Sequence, residues 1–395
     1  MDNPVQLFFN IVTLTIIVFG AHLLFLRALN RQTYLPLAIC LLAIGVVICQ
    51  PSIAFLLPEL RDEFLIFSLP ALLLIAPMFW FYVVGLTAES AWHVRQVNPV
   101  HIVPAVIGLL VSLVAVFMPA DIKYALLMEG DDAILKTLLP TLRYTVVTLL
   151  ITTLLLVIFW VLQSGWYFDQ VVRRLAAYRR QLKDLFATTD AKEIRWLSWL
   201  LLAVGVVWSA TAINILLDNL FYSTEISANL AAIVTLLMVW SIALWGLRQK
   251  PGLEELYDSK EEINDVLDTA QTASGKYQKS ALDQAHAEKI AAKIEAAMQQ
   301  DKLYLDASLS LQKLAKHIST SPNYISQTLN ESLGMNFFDY VNKHRVQAAQ
   351  QLLRETDDTV LDIAMNVGFN AKSSFYTAFK KEVFQTPSQY RKSAD

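Results

Sequence analysis

The chain has 395 residues, of which 55% are hydrophobic and only 17% are charged, and its formal net charge at pH 7 is −3. Soluble globular proteins carry about 25% charged residues, so this composition excludes an ordinary soluble protein. Residues 1–250 hold 31 of the 67 Lys, Arg, Asp and Glu residues and the last 145 residues hold 36, which predicts a first part in lipid and a second part in water.

Seven apolar runs in the first part are long enough to cross a bilayer, which takes about 20 helical residues at a rise of about 1.5 Å each. Charged or polar loops separate the runs. The predicted spans are residues 5–26, 35–57, 64–88, 100–118, 139–163, 197–217 and 227–247. Prolines within or at the ends of these runs, among them Pro51, Pro70, Pro77 and Pro104, are candidates for helix kinks.

Basic residues predict the orientation of the spans, because loops rich in Lys and Arg stay in the cytoplasm. With the N-terminus outside, the inner loops hold 12 basic residues and the outer loops hold 4. The opposite topology inverts this ratio. We therefore predict the N-terminus outside and the C-terminus inside, and the lack of basic residues before the first span argues against a cleavable signal peptide.

A helical pattern continues beyond the fifth span, from Trp166 to Phe186. Basic residues alternate in it with apolar residues at helical spacing, namely Val171, Leu175, Tyr178, Leu182 and Leu185. A helix of this kind suits the anionic inner leaflet of a membrane. Two interpretations stay open: an extension of span five whose long side chains reach the lipid headgroups, and a signalling element.

Polar residues inside a span are costly, so they usually face protein or a cavity. Asn10, Gln50 and Asn214 fall in the outer half of the predicted bundle, and Asp218 lies at its rim. One interpretation is that these four residues line a ligand pocket. The other is that they form hydrogen bonds between helices.

Residues 251–300 are predicted to form a helical linker, because Glu, Asp, Ala and Gln replace the apolar runs. Ser280 and Asp283 resemble a capping box, and Ile290, Ile294 and Met298 then repeat every four residues. This apolar stripe predicts one contact surface, either on the following domain or on a second copy of the chain in a coiled coil. The second alternative predicts a homodimer.

The last part of the chain nearly repeats itself after about 49 residues. Each repeat contains one apolar face at helical spacing, a turn, and a second such face. The faces are Leu311, Leu314, Ala315 and Ile318, then Ile325, Leu329 and Leu333; their repeats are Val360, Ile363, Ala364 and Val367, then Phe375, Phe379 and Val383. The pattern predicts two short helix-turn-helix pairs.

Capping residues agree with this prediction. Ser321 before Pro322 is typical of an N-cap followed by proline at the first helical position. Gly334 is placed to end a helix, and Gly368 is placed in a turn that requires positive φ. Asn336 can cap a joining helix from Phe337 to Arg354, whose length of about 27 Å is close to the spacing of about 34 Å between adjacent major grooves of DNA.

The second helix of each pair carries small polar and basic residues opposite its apolar face. They are Asn323, Ser326, Gln327 and Asn330 in the first pair and Ser373, Ser374, Thr377, Lys380 and Lys381 in the second. The helical wheel places Lys372 nearer the core. Simple solvation explains such residues, and contact with DNA bases is the alternative.

The segment Leu311 to Lys392 resembles the DNA-binding domain of AraC/XylS-type transcription regulators, in its double helix-turn-helix form. The residues that carry the resemblance are SPNYISQTLNESLGMNFFDYVNKHRVQAAQQLL and DIAMNVGFNAKSSFYTAFKKEVFQTPSQYR. The likeness covers about 82 residues and does not extend to the first 250.

The resemblance implies base-reading roles on two recognition helices. The residues concerned are Asn323, Ser326 and Gln327 on the first, and Lys372, Ser373 and Thr377 on the second. Two positions depart from the family pattern. Thr377 stands where Arg is common, which weakens a guanine contact, because Thr cannot bind O6 and N7 together. Phe384 stands where glycine is usual, at the end of the second recognition helix.

Residues 301–395 carry 11 basic and 10 acidic side chains, which is a low net charge for a DNA-binding domain. Attraction to phosphates is therefore expected to be modest. One basic face is predicted from Lys343, Arg345, Lys372, Lys380, Lys381, Arg391 and Lys392, with Asp357, Asp358 and Asp362 elsewhere.

Together these features predict an all-α protein with a seven-transmembrane helix bundle in residues 1–250, a helical linker in 251–300 and a cytoplasmic double helix-turn-helix domain in 301–395. The predicted function is a one-component transcription regulator in a bacterial inner membrane, which senses a small-molecule or membrane signal and binds promoter DNA. The alternative is a seven-helix receptor or transporter whose tail binds a protein partner. No nucleophile–base pair, cofactor motif or metal cluster is visible, so we predict no enzyme activity, cofactor or metal.

Overall fold

A computed structural model describes residues 4–88, 90–126, 133–189, 194, 196–203, 205–206, 228–253 and 284–394. Nearly all of this part of the chain is helical, as predicted, and within it the only extended pairing is an isolated antiparallel bridge between Phe186 and Ser310. The chain divides into two compact units, Met1–Arg174 with Ile194–Pro251 and Leu175–Glu193 with Gly252–Asp395.

Apolar helices build the first unit. They are α1 (Pro4–Asn30), α2 (Leu35–Ile48), α3 (Gln50–Leu56), α4 (Arg61–Ile66), α5 (Ser68–Leu86), α6 (Val103–Val116), α7 (Ala120–Tyr124), α8 (Ile134–Thr137), α9 (Pro140–Leu185) and α10 (Ala228–Arg248). Residues 196–203 are also helical. Short 3₁₀ turns occupy Gln32–Tyr34, Pro58–Leu60, Val94–Gln96 and Pro99–His101.

Four helices of the described residues are long and apolar enough to cross a membrane: Pro4–Asn30, Ser68–Leu86, Pro140–Leu185 and Asn229–Arg248. A fifth candidate is the pair Gln32–Ile48 and Gln50–Leu56, which is bent by 56°. The predicted seven spans are therefore not all seen. Val103–Val116 has only 14 residues, and most of the predicted span 197–217 lies outside the described residues.

Prolines explain the bend in part. Pro51 lies in the first turn of α3, next to the break between α2 and α3. A proline has no N–H to donate to the preceding turn, and its ring clashes with that turn, so the two helices do not continue as one. Pro77, in contrast, lies inside α5 without interrupting it.

The surface of these helices is apolar. Large exposed side chains include Phe8, Val18 and Phe19 on α1, each more than 60% exposed, and Leu162 on α9, at 68%. Exposed apolar surface on this scale is unfavourable in water and is typical of helices that face lipid. The apolar interior of the unit includes Leu24, Leu37, Leu41 and Leu73, which are fully buried.

The second unit contains the end of α9 and a set of short helices. Their bounds are α11 (Gln284–Gln299), α12 (Leu311–His317), α13 (Pro322–Gln327), α14 (Phe337–Glu355), α15 (Val360–Asn366), α16 (Lys372–Val383) and α17 (Pro387–Ala394). A 3₁₀ turn covers Leu303–Leu305, and one π turn, Thr328–Ser332, follows α13.

The helix of the predicted linker, α11, packs against the helices that follow it in the second unit. Ile290, Ile294 and Met298 are at most 3% exposed and join one core with residues of α12 and α13. The Tyr340 hydroxyl donates a hydrogen bond to the Glu295 carboxylate on α11, which holds the helix against α14. Of the two contact surfaces predicted for the apolar stripe, the structure shows the one on the following domain. The predicted capping box of Ser280 and Asp283 lies outside the described residues.

Candidate nucleic-acid interface

The two predicted helix pairs lie on two separate cores, and α14 contributes to both. Phe337, Tyr340 and Val341 at its start pack with α11, α12 and α13. Val346, Ala349 and Leu353 further along pack with α15 and α16. One rigid helix therefore sets the position of both pairs. This is the arrangement that the joining helix was predicted to provide.

The first pair consists of α12 and α13. The Ser310 hydroxyl caps α12 by accepting a hydrogen bond from the Lys313 backbone N–H at 3.3 Å. Pro322 stands in the first turn of α13 as predicted, but the Ser321 side chain makes no capping hydrogen bond. Leu333, predicted on the buried face, is 37% exposed. The π turn before it changes the helical phase, so Leu333 no longer falls beneath Leu329.

The residues predicted to read bases from the first pair lie on the outer side of α13 and of the π turn that follows it. Asn323 and Asn330 are exposed, and Ser326 and Gln327 are half-buried. The Gln327 amide donates to the Glu331 carboxylate at 3.0 Å, and the Asn330 amide donates to the Ser326 carbonyl at 3.0 Å. Gln327 and Asn330 would therefore have to break these hydrogen bonds in order to contact a base.

Gly368 forms the turn of the second pair. Its φ of 95° lies in the region that favours glycine, and a Cβ at this position would lie 2.5 Å from the Tyr304 carbonyl oxygen. Both the backbone conformation and the close approach thus require glycine. Gly334 has a φ of 64° after the π turn, and the Asn336 side chain accepts from the Asp339 N–H. The predicted roles of these three residues are confirmed.

The second recognition helix, α16, presents a polar and basic outer side. Lys372, Ser373, Thr377, Lys380 and Lys381 are all exposed. The wheel prediction for Lys372 was wrong, because this residue is the first of the helix, where no preceding turn covers it; its ammonium lies 5.4 Å from the centre of the Tyr376 ring.

Two of these side chains have partners within the domain. The Lys381 ammonium pairs with the Asp339 carboxylate at 2.7 Å, and the Thr377 hydroxyl donates to the Ser373 carbonyl at 2.9 Å. Tyr376 and Thr386 share a surface depression with Thr377, Lys380 and Lys381. The depression places three of the second set of candidates, Thr377, Lys380 and Lys381, on one face of the domain.

The predicted basic face is smaller than the sequence indicates. Arg345 is 0% exposed and is part of the domain interior. Arg391 donates to the backbone carbonyls of Leu353 and Asp358, at 3.3 and 2.7 Å. Sequence reasoning missed the structural role of Arg345, although a signal exists: Arg345 stands in the i, i+4 series with Phe337, Val341, Ala349 and Leu353, all of which are buried.

Phe384 ends α16 in the left-handed conformation, with a φ of 60°, and its ring is 86% exposed. The departure from the family pattern is therefore accommodated as strained backbone. Left-handed backbone costs a non-glycine residue about 1 kcal/mol or more, and the exposed ring returns little packing energy.

Replacing Phe384 with glycine is expected to stabilise the second helix pair by about 1 kcal/mol, because it relieves this strain. In amide hydrogen exchange of the full-length protein, the buried amides of α16 should exchange about fivefold more slowly. Phe384→Ala is the matched control, since it removes the ring and keeps the Cβ, and it should bring no such gain. An equal gain in both variants would show that the ring, and not the backbone, carries the cost.

Of the four polar residues predicted to line a pocket or to join helices in the first unit, the structure describes two, Asn10 and Gln50. The Asn10 amide donates to the Ile48 carbonyl at 2.7 Å, and its oxygen accepts from the Ser52 hydroxyl at 2.6 Å. Asn10 therefore joins α1 to α2 and α3, as the interpretation of hydrogen bonds between helices predicts. Gln50 is half-buried, with its amide nitrogen unpaired. Asn214 and Asp218 lie outside the described residues.

Comparison with known proteins matches residues 314–393 to the helix-turn-helix domain family. An uncharacterised HTH-type transcriptional regulator of Staphylococcus aureus (strain COL) is 38% identical over 90 residues, which are 23% of this chain and 12% of that protein. The melibiose operon regulatory protein of Escherichia coli (strain K12) is 33% identical over 87 residues, 22% of this chain and 29% of that protein. The chain thus matches less than a third of the length of each relative.

Two solved structures of response-regulator domains are similar to part of this chain. The C-terminal domain of AraT, a response regulator from Geobacillus stearothermophilus, is 30% identical over 29% of this chain and 88% of that one, with a TM-score of 0.24. The C-terminal domain of the response regulator yesN from Fusobacterium nucleatum is 34% identical over 26% of this chain and 95% of that one, with a TM-score of 0.23.

Proposed function

With an AraC-type helix-turn-helix domain as the C-terminal region of the chain, we propose that the protein is a transcription regulator held in a membrane. Its C-terminal domain binds promoter DNA in the cytoplasm, and its apolar half senses a small-molecule or membrane signal. The observation that carries the proposal is the double helix-turn-helix arrangement itself, in which α14 holds two cores and each second helix turns polar residues outward. This arrangement is suited to reading DNA.

The proposal assigns seven spans to the apolar half. The four membrane-length helices and the bent pair of α2 and α3 support it, and α6 and the residues 197–217 would supply the remaining two. The distribution of basic residues, 12 in the inner loops against 4 in the outer loops, supports a cytoplasmic C-terminus. The protein would then lie in the inner membrane of a bacterium, with its DNA-binding domain facing the chromosome.

Base contacts are proposed for both recognition helices. On α13 and the π turn that follows it the candidates are Asn323, Ser326, Gln327 and Asn330, and on α16 they are Lys372, Ser373, Thr377, Lys380 and Lys381. The strongest candidates are Asn323 and Ser373, because both are exposed near the start of their helix, where a recognition helix approaches base edges.

Selection from a random DNA library tests the proposal. The full-length protein, held in lipid nanodiscs, should enrich a motif of two half-sites separated by about one helical turn, since the two helices must enter adjacent grooves. A library that stays random after several rounds would contradict sequence-specific DNA binding.

The dependence of DNA binding on salt should be weak for a DNA-binding protein. Lys372 and Lys380 are exposed on α16, whereas Arg345 is buried and Lys381 is paired with Asp339. We expect a slope of about −3 in a plot of log affinity against log salt concentration, which corresponds to about three phosphate contacts per domain. A slope near −9, or about ten phosphates, would contradict this description of the surface.

A further inference from the structure

The end of α9 belongs to the DNA-binding unit, although its beginning is a membrane-length helix. The helix runs without interruption from Pro140 to Leu185. Contacts divide it between Arg174 and Leu175, so residues 175–189, called here the coupling segment, group with the C-terminal domain. Tyr178, Leu182, Phe186 and Ala187 in this segment are at most 3% exposed. A helix extension whose side chains only reached the headgroups would not be buried in this way.

The backbone of the coupling segment is tied to the DNA-binding domain. The Ala187 N–H donates to the Leu309 carbonyl at 3.1 Å, next to the antiparallel bridge between Phe186 and Ser310. From the other side, the fully buried Arg345 guanidinium donates to the Ala187 carbonyl and to the Thr188 hydroxyl, each at 3.1 Å. Hydrogen bonds of a charged donor in a buried site are among the stronger ones, so the attachment is specific.

The apolar side of the attachment joins the core of the first helix pair, and toward the second pair the Arg345 guanidinium lies 5.5 Å from the centre of the Phe369 ring. Ala187 lies in the core that contains Leu311 and Leu314 of α12, and Ile325 of α13. Among the described residues, the core of the second pair contains no member of the coupling segment. Ser310, which pairs with Phe186, is also the N-cap residue of α12. The coupling segment thus contacts the N-terminal end of α12, the first helix of the first pair.

We propose that the coupling segment transmits the state of the membrane half to the first helix-turn-helix pair. Docked, it fixes α12 and, through the shared core, the recognition helix α13. A rotation or shift of α9 within the bilayer displaces the segment, because an unbroken helix carries such a movement along its axis, and the first pair loosens while the second is unaffected. Control of DNA binding by this route rests on the proposed function, but the docking and its selectivity do not.

Amide hydrogen exchange of the full-length protein in nanodiscs tests the docking without any DNA. Ala187→Glu places a charged side chain at a position that is 1% exposed, so the segment should leave its site. We expect the amides of residues 311–333 to exchange about tenfold faster or more, with those of residues 360–383 unchanged. Ala177→Glu is the matched control, because Ala177 belongs to the same segment but is exposed on α9, and it should behave as the unmodified protein does.

Equal effects on both helix pairs, or none on either, would overturn the proposal. Thr188→Val provides a second, milder variant that removes one hydrogen bond from Arg345 without adding a charge. It should accelerate exchange in residues 311–333 alone by a few-fold. If the milder variant affects the second pair as strongly as the first, the segment is only a general part of the domain core.

The connection to the membrane is tested by breaking the helix. A Gly-Ser-Gly-Ser insertion between the exposed residues Ala176 and Ala177 keeps the docked residues from Tyr178 onward and interrupts the helix before them. In the unmodified protein, changing from thin to thick phosphatidylcholine bilayers should alter exchange in residues 311–333 by about threefold or more, since a change of thickness tilts the spans. The insertion should abolish this difference. A difference that persists in the variant, or none in the unmodified protein, would overturn the coupling.

Discussion

Replacing Arg345 with methionine is expected to lower the free energy of unfolding of the C-terminal unit by about 3–5 kcal/mol. The guanidinium is 0% exposed and donates hydrogen bonds to the carbonyls of Tyr304, Asp306 and Ala187 at 2.8, 2.9 and 3.1 Å. Burial lowers the pKa of Arg345 to about 10, and Asp306 opposes that shift, so the side chain stays charged at neutral pH. Methionine fills a similar volume but donates nothing.

The size of the effect follows from the partners of Arg345. A buried ion pair can often be replaced by apolar residues at little cost, because both charged groups are removed together. Here the acceptors are mainly backbone carbonyls, which no side-chain substitution removes. Each buried acceptor left without a donor costs about 1–3 kcal/mol. The Tyr304 and Ala187 carbonyls lose the guanidinium donor, whereas the Asp306 carbonyl keeps its hydrogen bond from the Leu309 N–H at 3.1 Å.

Amide exchange along α14 measures this loss in the full-length protein, and rates should rise by about a hundredfold or more. Arg354→Met is the matched control. It removes the same side chain from the same helix, but Arg354 is exposed and lies over the Tyr390 ring, 4.9 Å from its centre, so about 1 kcal/mol or less should be lost. Similar exchange rates in the Arg345 and Arg354 variants would show that the hydrogen bonds of the buried guanidinium do not stabilise the C-terminal unit.

Alanine at both Asn323 and Ser373 is expected to reduce affinity for the selected DNA site by about 2–6 kcal/mol, or about thirtyfold at least, since each good base contact is worth about 1–3 kcal/mol. Affinity for random DNA should change little, because phosphate contacts carry that binding and neither residue is charged. Loss of sequence preference, not of binding in general, is therefore the expected result. Fluorescence anisotropy with labelled specific and random duplexes measures both affinities.

The control for this double variant is Gln351→Ala. Gln351 is exposed on α14 and its amide donates to the Glu355 carboxylate at 3.0 Å. It lies outside both recognition helices, so affinity for either duplex should remain within about twofold. A double variant that binds its selected site as tightly as the unmodified protein would show that other residues read the sequence.

Sequence reasoning succeeded where local chemistry decides the structure. The two helix pairs, the cap at Asn336 and the glycine turns at Gly334 and Gly368 all depend on residues within a few positions of each other. Spacing and capping preferences therefore predict them well. The hydrogen bond between Asn10 and the Ile48 carbonyl of α2 was predicted only in part. The residue type predicted a hydrogen bond between helices but not its partner.

Prediction from the sequence was less successful where distant segments decide the structure. The burial of Arg345 depends on carbonyls 39 to 158 residues away along the chain, and a basic residue is expected at a surface unless such partners are known. The docking of Ala187 was not predicted for the same reason, since its partners Leu309 and Arg345 are distant along the chain. Hydropathy also reports which runs are apolar but not where a helix bends, so the second predicted span is found as the bent pair of α2 and α3.

Chromatin immunoprecipitation of the tagged full-length protein, collected with the membranes of crosslinked cells, tests the central claim most directly. The comparison is with the Asn323→Ala, Ser373→Ala variant present in membranes at the same level. A membrane-held regulator should yield discrete peaks of DNA upstream of genes, and these peaks should disappear in the variant. Membrane protein that enriches no DNA, or that enriches the same DNA with and without the two side chains, would contradict the account and would favour a receptor whose helical tail binds another protein.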